Sequence, residues 1–331
     1  LAAFARFTER IMNHRSTLSE WLADPSHLVK MHGSGNDFVM VDLRNNRAMD
    51  NNRTMDLKLR QLAVDLCDRH SGVGADGLIG IANAREKDGE NEMIFKNPDG
   101  SDAGMCGNGA RCFAALVSVL SGLRDIRFVM GGNRYQATVF GGDDRALLDG
   151  EFPEVVEIEF PGEISVEHRV VEGQDLSMVY SGTEHVIVRT NPSRLDDVGY
   201  IRERGSYWRS HDAFVPSGTN VNFMAPAGED PWTCKVRTFE RGVENLTLSC
   251  GTGAIASALA LHSETGLGLG AKQRRSSDAG EASGESEFCI KVDQLGGTVE
   301  VSFLFDEQTK RYRRIRLKGP VAFVFMAQML F

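Results

Sequence analysis

Two stretches, Cys106-Gly107-Asn108-Gly109-Ala110 and Cys250-Gly251-Thr252-Gly253-Ala254, agree at four of their five positions. Each opens an apolar, Ala-rich run, so each reads as a cysteine at the start of a helix. The first N–H groups of a helix have no partner within it, and the aligned peptide dipoles add partial positive charge there. An anion is favoured at such a place, so the phrase predicts an activated thiol, twice. The copies lie 144 residues apart (250 − 106) in a chain of 331. That spacing predicts pseudo-twofold halves facing each other across a cleft, one thiol from each.

An isolated cysteine, with a pKa of about 8.5, is only a few per cent thiolate at neutral pH. A helix N-terminus supplies at most about 2 kcal/mol, or roughly 1.5 pK units. Two thiolates about 7 Å apart would repel by about 2.4 kcal/mol at an effective dielectric near 20, so one proton stays on. A thiolate and a thiol on opposite sides of a carbon invert a stereocentre, because one removes a proton and the other returns one to the opposite face. The helix N-termini would hold a carboxylate and the enolate-like charge that develops beside it. No cofactor is required. Cys67, Cys112, Cys234 and Cys289 read instead as small buried hydrophobes.

Composition narrows the class. The length favours two domains, and 41% hydrophobic with 25% charged residues is ordinary for a soluble globular protein. The 37 Lys and Arg against 46 Asp and Glu give a net charge of −9, which argues against nucleic acid and for small-molecule partners. No C-x-x-C pair stands among the six cysteines, so a reducing compartment is expected. No apolar run approaches the roughly 20 residues that span a bilayer. Residues 1–27 read as a plain N-terminal helix or a remnant of expression. Their Arg6, Arg10 and Arg15 interleaved with Phe4, Phe7, Ile11 and Leu18 also fit an organelle transit peptide, against which Glu9 and Glu20 count.

From Leu28 the pattern is one of short β-like runs broken by Gly, Asn and Asp. Strands are expected at Phe38 to Leu43, Leu78 to Ala82, Met93 to Phe95, Ile126 to Met130 and Tyr135 to Phe140, with helices at Met55 to Cys67 and Ala110 to Leu120. The second half repeats this pattern, with strands at Val155 to Phe160, Ser177 to Tyr180, His185 to Val188, Asn220 to Met224, Cys234 to Phe239, Cys289 to Val292, Thr298 to Phe305 and Arg313 to Leu317, and a helix at Ala254 to Leu261. The last stretch, Val321 to Phe331, reads as a final strand. Each half is thus mostly strand with one cysteine-led apolar helix, which predicts an α/β (α+β) fold with sheet wrapped around a buried helix. Gly270 to Glu287 and Asp196 to Asp212 read as polar surface additions, the second anchored by Tyr200, Tyr207 and Trp208.

With these residues in place, the chain resembles the diaminopimelate epimerases, pyridoxal-independent two-cysteine amino-acid epimerases. The matching phrases are KMHGSGNDFVMVD (Lys30 to Asp42), DRHSGVGADG (Asp68 to Gly77), FKNPDGSDAGMCGNGARCFAAL (Phe95 to Leu116), GTNVNF (Gly218 to Phe223) and FERGVENLTLSCGTGA (Phe239 to Ala254). They fall in the family's order and cover most of the chain from Leu28 onward. The resemblance implies two pseudo-symmetric domains, each a barrel-like, mostly antiparallel sheet around a central helix. In this chain they would be 28–150 with a returning strand at 319–331, and 151–318, after the extension 1–27. It implies interconversion of LL- and meso-2,6-diaminopimelate on the route to lysine and peptidoglycan, by a cytoplasmic homodimer without cofactor, metal, nucleic-acid or membrane partner. Carried over by motif, Cys106 and Cys250 are the acid/base pair. Gly107, Asn108, Gly251 and Thr252 present N–H groups to the reacting carboxylate. Asn36, Asn97, Asn220 and Arg241 hold the distal amino-acid end, with the Arg fork reading a carboxylate; Glu240, next to Arg241, is placed to bind an ammonium group or to tune a thiol, and His185 stands where the family has a histidine near the site.

Three departures fall in substrate recognition. Thr183-Glu184-His185 stands where many members have Asn-Pro-His, Gly77 where some have Gln, and the stretch from Glu240 to Cys250 is one residue longer than the common spacing. The alternative within the class is therefore a related cofactor-independent racemase or epimerase acting on another amino acid. A thiol hydrolase using Cys250 and His185 would leave the repeated phrase unexplained. Gly72-Val-Gly74-Ala-Asp-Gly77 matches a dinucleotide fingerprint but follows a helical, charged stretch rather than a strand, which argues against that use. Cys106 and Cys112 lack zinc spacing.

Overall fold

The structure, a computed structural model, describes residues 22, 24, 26–44, 52–84, 90–141, 152–266 and 286–329. Nearly all of the N-terminal extension and residues 270–285 of the expected surface loop lie outside the described residues. The chain forms two compact units, one ending at Ile158 and taking in the residues from Pro320 onward, the other comprising Glu159–Gly319.

In the first unit the strands are β1 (His27–Gly33), β2 (Asn36–Asp42), β3 (Gly77–Asn83), β4 (Asn91–Lys96), β5 (Asp125–Met130) and β6 (Asn133–Phe140), followed by β7 (Val155–Phe160). β1 to β6 pair in sequence order, alternating antiparallel and parallel from β1/β2 through β5/β6. The last strand of the chain, β17 (Ala322–Gln328), pairs antiparallel with β1. Helix α1 (Asn52–Cys67) joins β2 to β3, and α2 (Gly107–Ser121) joins β4 to β5. α2 has no polar face, Arg111 being its one charge, and every residue from Gly107 to Val119 is buried, as such a helix must be. It packs against β1, β2, β3, β5 and β6. Strands about 4.8 Å apart cannot all reach a helix about 10 Å wide unless the sheet curls around it.

Phe38 to Val41 are buried without alternation because both faces of β2 are covered. Val39 and Val41 cluster with Leu59 and Ala63 of α1, whereas Phe38 lies against the first turn of α2 at Gly109. β1 escapes the sequence pattern because Lys30 interrupts its apolar run. The side chain of Lys30 is buried all the same, bonded to Asp37 at 2.6 Å and to the carbonyl of Gly74.

The second unit repeats the scheme. β8 (Val166–Val171), β9 (Gln174–Tyr180), β10 (Glu184–Arg189), β11 (Asn220–Pro226), β12 (Thr233–Glu240), β13 (Asn245–Leu246), β14 (Ser286–Gln294), β15 (Gly297–Asp306) and β16 (Arg311–Pro320) follow in order. From β9/β10 to β14/β15 the pairings again run antiparallel, parallel, antiparallel, parallel, antiparallel. Among the described residues three α-helices interrupt them: the short α3 (Pro192–Leu195), α4 (Val198–Arg209) and α5 (Gly251–Thr265). α5 is buried from Gly251 to His262 and touches every strand from β8 to β12 as well as β14 and β15. Both cysteine-led helices end on a glycine in the left-handed region, Gly122 (φ 75°) and Gly266 (φ 56°), the usual stop for a helix.

Two surface readings are corrected. Asp196 to Asp212 is not a polar addition: α4 packs its Trp208 and Ile201, 1% and 0% exposed, onto Val221, Phe223 and Phe239. The abundant Arg and Glu obscure it because they occupy the outer face of an amphipathic helix. Ser286 and Glu287, expected in a loop, open β14. β8 has no strand signature in the sequence because Glu167 to Val170 are exposed, so no buried face imposes alternation.

The packing carries two consequences for stability. A Cβ added at Gly205 of α4 would lie 2.5 Å from Cγ of Phe239. Gly205→Ala therefore costs about 1–3 kcal/mol of overpacking against about 1 kcal/mol of helix propensity gained, and its Tm by circular dichroism falls; a raised Tm would place α4 off β12. His262 is enclosed by Phe288, Phe303, Phe305 and Tyr312, and burial holds its pKa down at about 4. The unfolded chain takes up this proton near pH 6.5 and the folded one only near 4. Stability is thus full above about 6.5 and declines as pH falls toward 4. Thermal melts should show that decline, and His262→Leu should make it shallower without abolishing it, since other buried groups also contribute; an identical slope in the variant would refute the assignment.

Candidate active site

Cys106 is the N-cap of α2, with extended backbone (φ −120°, ψ 110°), and its Sγ accepts the N–H of Gly109 at 3.4 Å. As a thiol it donates to Oδ1 of Asn36 at 3.6 Å. What aims that amide is charge. Nδ2 of Asn36 donates to Asp76 at 2.7 Å, and Asp76 in turn takes a bond from Arg69 at 2.8 Å. Arg69 and Lys30 also bind Asp37 at 2.8 and 2.6 Å. Burial alone would push the Asp37 carboxyl up, but the bonds from Arg69 and Lys30 outweigh it and hold the group at about 2. The phrase Asp68 to Gly77 thus serves as an ionic brace behind Asn36 rather than as a phosphate loop.

Gly107 and Asn108 occupy the first turn of α2, where N–H groups have no carbonyl one turn back. The Asn108 side chain is turned inward, accepting from Arg111 at 2.8 Å. Asn97 follows β4, and its Nδ2 donates to Ser101 Oγ at 3.0 Å and to the Asp102 carbonyl at 3.5 Å. Its side chain is thereby tied into its own turn.

The second unit builds the same cap. Cys250 has φ −126° and ψ 111°, and its Sγ accepts from Gly253 at 3.4 Å. Only glycine fits there, since a Cβ on Gly253 would meet Asn222 Oδ1 at 2.5 Å and the Cys250 sulfur at 3.2 Å. The Cys250 N–H donates to Gln294 Oε1 at 2.7 Å. Gly251 and Thr252 form the first turn of α5, and the Thr252 carbonyl accepts from Ser181 Oγ at 2.9 Å.

His185 supports this turn. Asn222 donates from Nδ2 to His185 Nδ1 at 3.1 Å and accepts from Thr238 at 2.9 Å. The imidazole proton therefore sits on Nε2, which faces the hydroxyls of Thr252 and Thr183, both at 3.0 Å. Burial, with the Arg241 charge adding to it, drops the His185 pKa to about 3, so the ring is neutral at physiological pH. Thr252 Oγ1 lies 3.6 Å from Cys250 Sγ, which links imidazole, hydroxyl and sulfur in one chain.

Asn220 and Arg241 are joined. Asn220 Oδ1 accepts the Arg241 N–H at 2.9 Å, and its Nδ2 donates to Thr183 Oγ1 and the Glu184 carbonyl, both at 3.0 Å. The Arg241 guanidinium bonds Glu184 at 2.9 Å and the Ser217 carbonyl at 3.0 Å. Glu240, the residue before it, closes β12. The departures are accommodated locally: Thr183 and Glu184 each take a partner in this network, and the space beside Gly77 is filled by Phe95, whose ring would lie 2.3 Å from an added Cβ. The longer Glu240 to Cys250 stretch runs through a turn with Gly242 and Glu244 at positive φ, 91° and 54°.

The first unit thus gathers Cys106, Asn36, Gly107 and Asn108, and the second gathers Cys250, Gly251, Thr252, His185, Asn220 and Arg241. Sequence reasoning missed Asp76, Arg111, Asn222 and Gln294. The first three lie within the matching phrases, but no pattern assigns a partner to an isolated polar residue; Gln294 has no local signal at all.

The sequence model of diaminopimelate epimerase matches residues 28–144. The diaminopimelate epimerase of Aquifex aeolicus is 35% identical over 232 residues, 70% of this chain and 79% of that one. That of Flavobacterium psychrophilum is 30% identical over 299 residues, covering 90% and 98%. Diaminopimelate epimerase 1 of a Nostoc species is 31% identical over 319 residues, covering 91% and 98%. Two solved structures share the fold at low identity. A Bacillus anthracis phenazine biosynthesis protein of the PhzF family has TM-score 0.61 at 11% identity, with 92% of this chain and 99% of that one covered. A probable proline racemase of Agrobacterium radiobacter has TM-score 0.58 at 15%, covering 92% and 93%. Identities of 30–35% over 70–91% of this chain, in a fold whose two units each bury a cysteine-capped helix, place the chain in the diaminopimelate epimerase family.

Proposed function

We propose that this isomerase interconverts LL- and meso-2,6-diaminopimelate, with Cys106 and Cys250 as the proton carriers for the two faces of one Cα. The observation that carries the reading is the duplicated cap: each sulfur accepts the N–H three residues on at 3.4 Å, at the head of a helix buried on all sides. The thiolate takes the α-proton, and the C–H electron pair moves toward the carboxylate. The opposite thiol then delivers its proton to the other face, leaving the two sulfurs with exchanged protonation. The N–H groups of Gly107, Asn108, Gly251 and Thr252 stabilise the charge on the carboxylate as it grows. His185, neutral and hydrogen-bonded to Thr252, fixes that turn without competing for the proton. The family resemblance supports a cytoplasmic homodimer; among the described residues no helix is long and apolar enough to cross a membrane.

Asn220 and Arg241, with Asn36 and Glu240, would bind the distal amino-acid group. Here Arg241 already carries a carboxylate, that of Glu184, so a substrate carboxylate must displace Glu184 or share the fork with it. Asn97 is the weakest member of the set, being held in its own turn.

This scheme is tested at the thiols and at the distal end. Cys106→Ala and Cys250→Ala each abolish epimerisation while near-native circular dichroism is retained; either variant epimerising normally in D₂O, followed by α-proton NMR, would defeat the two-base scheme. Arg241→Lys keeps the charge but loses the bidentate fork, a loss of roughly 2–3 kcal/mol for a charged hydrogen bond. kcat/KM for diaminopimelate should drop about 30- to 150-fold, with little change for an amino acid lacking the distal carboxylate. Glu184→Gln should lower KM for diaminopimelate. A wild-type preference for a monocarboxylic amino acid would instead transfer the assignment to the related racemase or epimerase.

A further inference from the structure

Glu184 stands where many members of the family have proline, and its carboxylate sits on the guanidinium that a distal substrate carboxylate needs. The backbone on both sides of this pair is held by one residue. Glu184 opens β10 and its carbonyl accepts from Asn220 Nδ2 at 3.0 Å, while Asn220 Oδ1 accepts the N–H of Arg241 at 2.9 Å. The two charged side chains thus start from a common anchor.

Their contact uses one corner of each group. Nη1 of Arg241 donates to Oε2 of Glu184 at 2.9 Å and to the carbonyls of Ser217 and Gly218 at 3.0 and 3.5 Å. Nε and Nη2 of Arg241 and Oε1 of Glu184 have no hydrogen-bond partner among the described residues. The side chains are 27% and 43% exposed, open enough for a small ligand to reach them. Nε and Nη2 lie along one edge of the planar guanidinium, where a carboxylate can take both donors at once.

A ligand carboxylate on that edge shares its cation with Glu184, so two anions face one positive charge. Like charges brought together in this way disfavour binding. A ligand that carries an ammonium group beside its carboxylate removes the conflict, because the ammonium answers the unused oxygen of Glu184 while the carboxylate answers the unused edge of Arg241. The pair therefore presents a positive and a negative group side by side, the complement of an amino-acid zwitterion.

We propose that Glu184 is a specificity-determining residue of the distal subsite, which disfavours a bare carboxylate on Arg241 and accepts one accompanied by an ammonium group. This rests on the reading of Arg241 as the partner of the distal carboxylate. Selection of this kind works by penalising the wrong ligand as much as by binding the right one. Removing the charge of Glu184 relieves the competition for every distal carboxylate but also takes away the partner of the ammonium, so diaminopimelate gains less than a bare dicarboxylate does.

The test is calorimetric titration of the full chain with diaminopimelate and with 2-aminopimelate, which lacks only the distal ammonium, alongside α-proton exchange of both in D₂O. The wild type binds diaminopimelate more tightly. Glu184→Gln keeps the length of the side chain and an oxygen for Nη1 while losing the charge. It lowers the Kd of 2-aminopimelate about three- to fivefold more than that of diaminopimelate, the size of a partly exposed charge contact, and the wild-type preference narrows by that factor. Equal tightening of both ligands, or no change in either, overturns the proposal. So does a preference that Glu240→Gln narrows and Glu184→Gln does not. Should Glu184→Gln not fold by circular dichroism, tighter wild-type binding of 2-aminopimelate overturns it equally. A preference that Glu184→Gln narrows, in a protein that exchanges the α-proton of neither ligand, would instead count against the proposed function and leave the role of Glu184 standing.

Discussion

Everything in each unit depends on burying a helix by its positive end. An apolar helix surrounded by strands is stable because it contributes core on every side, but its first N–H groups have no partner within the helix. Those donors must be answered by protein or by ligand. Here cysteine answers one of them: the sulfur of Cys106 takes the N–H of Gly109 and that of Cys250 takes the N–H of Gly253. Sulfur is a weak acceptor as a thiol and a strong one as a thiolate, so the cap is most stable in the form that is also the better base. The same arrangement leaves the preceding N–H groups without a partner in the helix, so in the proposed reaction they are the donors that meet the carboxylate, and structural need and proposed use coincide at one turn.

Glycine is what lets the turn be so crowded. At Gly253 a side chain would strike both the sulfur and Asn222, and at Gly109 it would strike Ile79 at 2.8 Å. Asn222 is in turn the residue that fixes the tautomer of His185, so the space left by the missing Cβ is occupied by the group that orients the second helix's support. In the first unit the corresponding support is ionic. Asp76 and Arg69 set Asn36, and Asn36 sets the thiol. Two nearly identical caps are thus stabilised by unlike means, one by a buried neutral imidazole and the other by a network of charges.

The parts of this architecture that are legible in the sequence are those with a local signature. The paired Cys-Gly-x-Gly phrases mark both helix starts, and the alternation of Thr298 to Phe305 and Tyr135 to Phe140 marks strands with one buried face. Where a segment's burial depends on distant partners, the pattern fails. β1 hides behind Lys30, whose charge is neutralised by Asp37 across the hairpin, and α4 hides behind Arg and Glu on its outer face although Trp208 and Ile201 seat it on the sheet. At the site, residue types that act alone, such as the thiols, can be read from the chain. Asp76, Asn222 and Gln294 act through Asn36, His185 and the Cys250 N–H respectively, and only the fold brings each to its partner. Asn97 shows the converse: its motif matches, but its amide is spent on its own turn.

Arg111 shows how much an internal duplication can conceal. Within the repeated phrase it looks like a stray charge in an otherwise apolar helix, and its counterpart Ile255 looks like ordinary core. Helix and sheet geometry would be served equally well by an apolar side chain at both positions, since both are fully enclosed. Keeping a guanidinium there requires Ser34, Asn108 and the Gly107 carbonyl to turn inward to meet it, and still leaves its charge unmatched by any fixed anion among the described residues. A buried cation of that kind stabilises whichever neighbouring group becomes negative, and its field acts on Cys106. The departure from symmetry between the two caps therefore lies in the charge beneath the cap rather than in the cap itself.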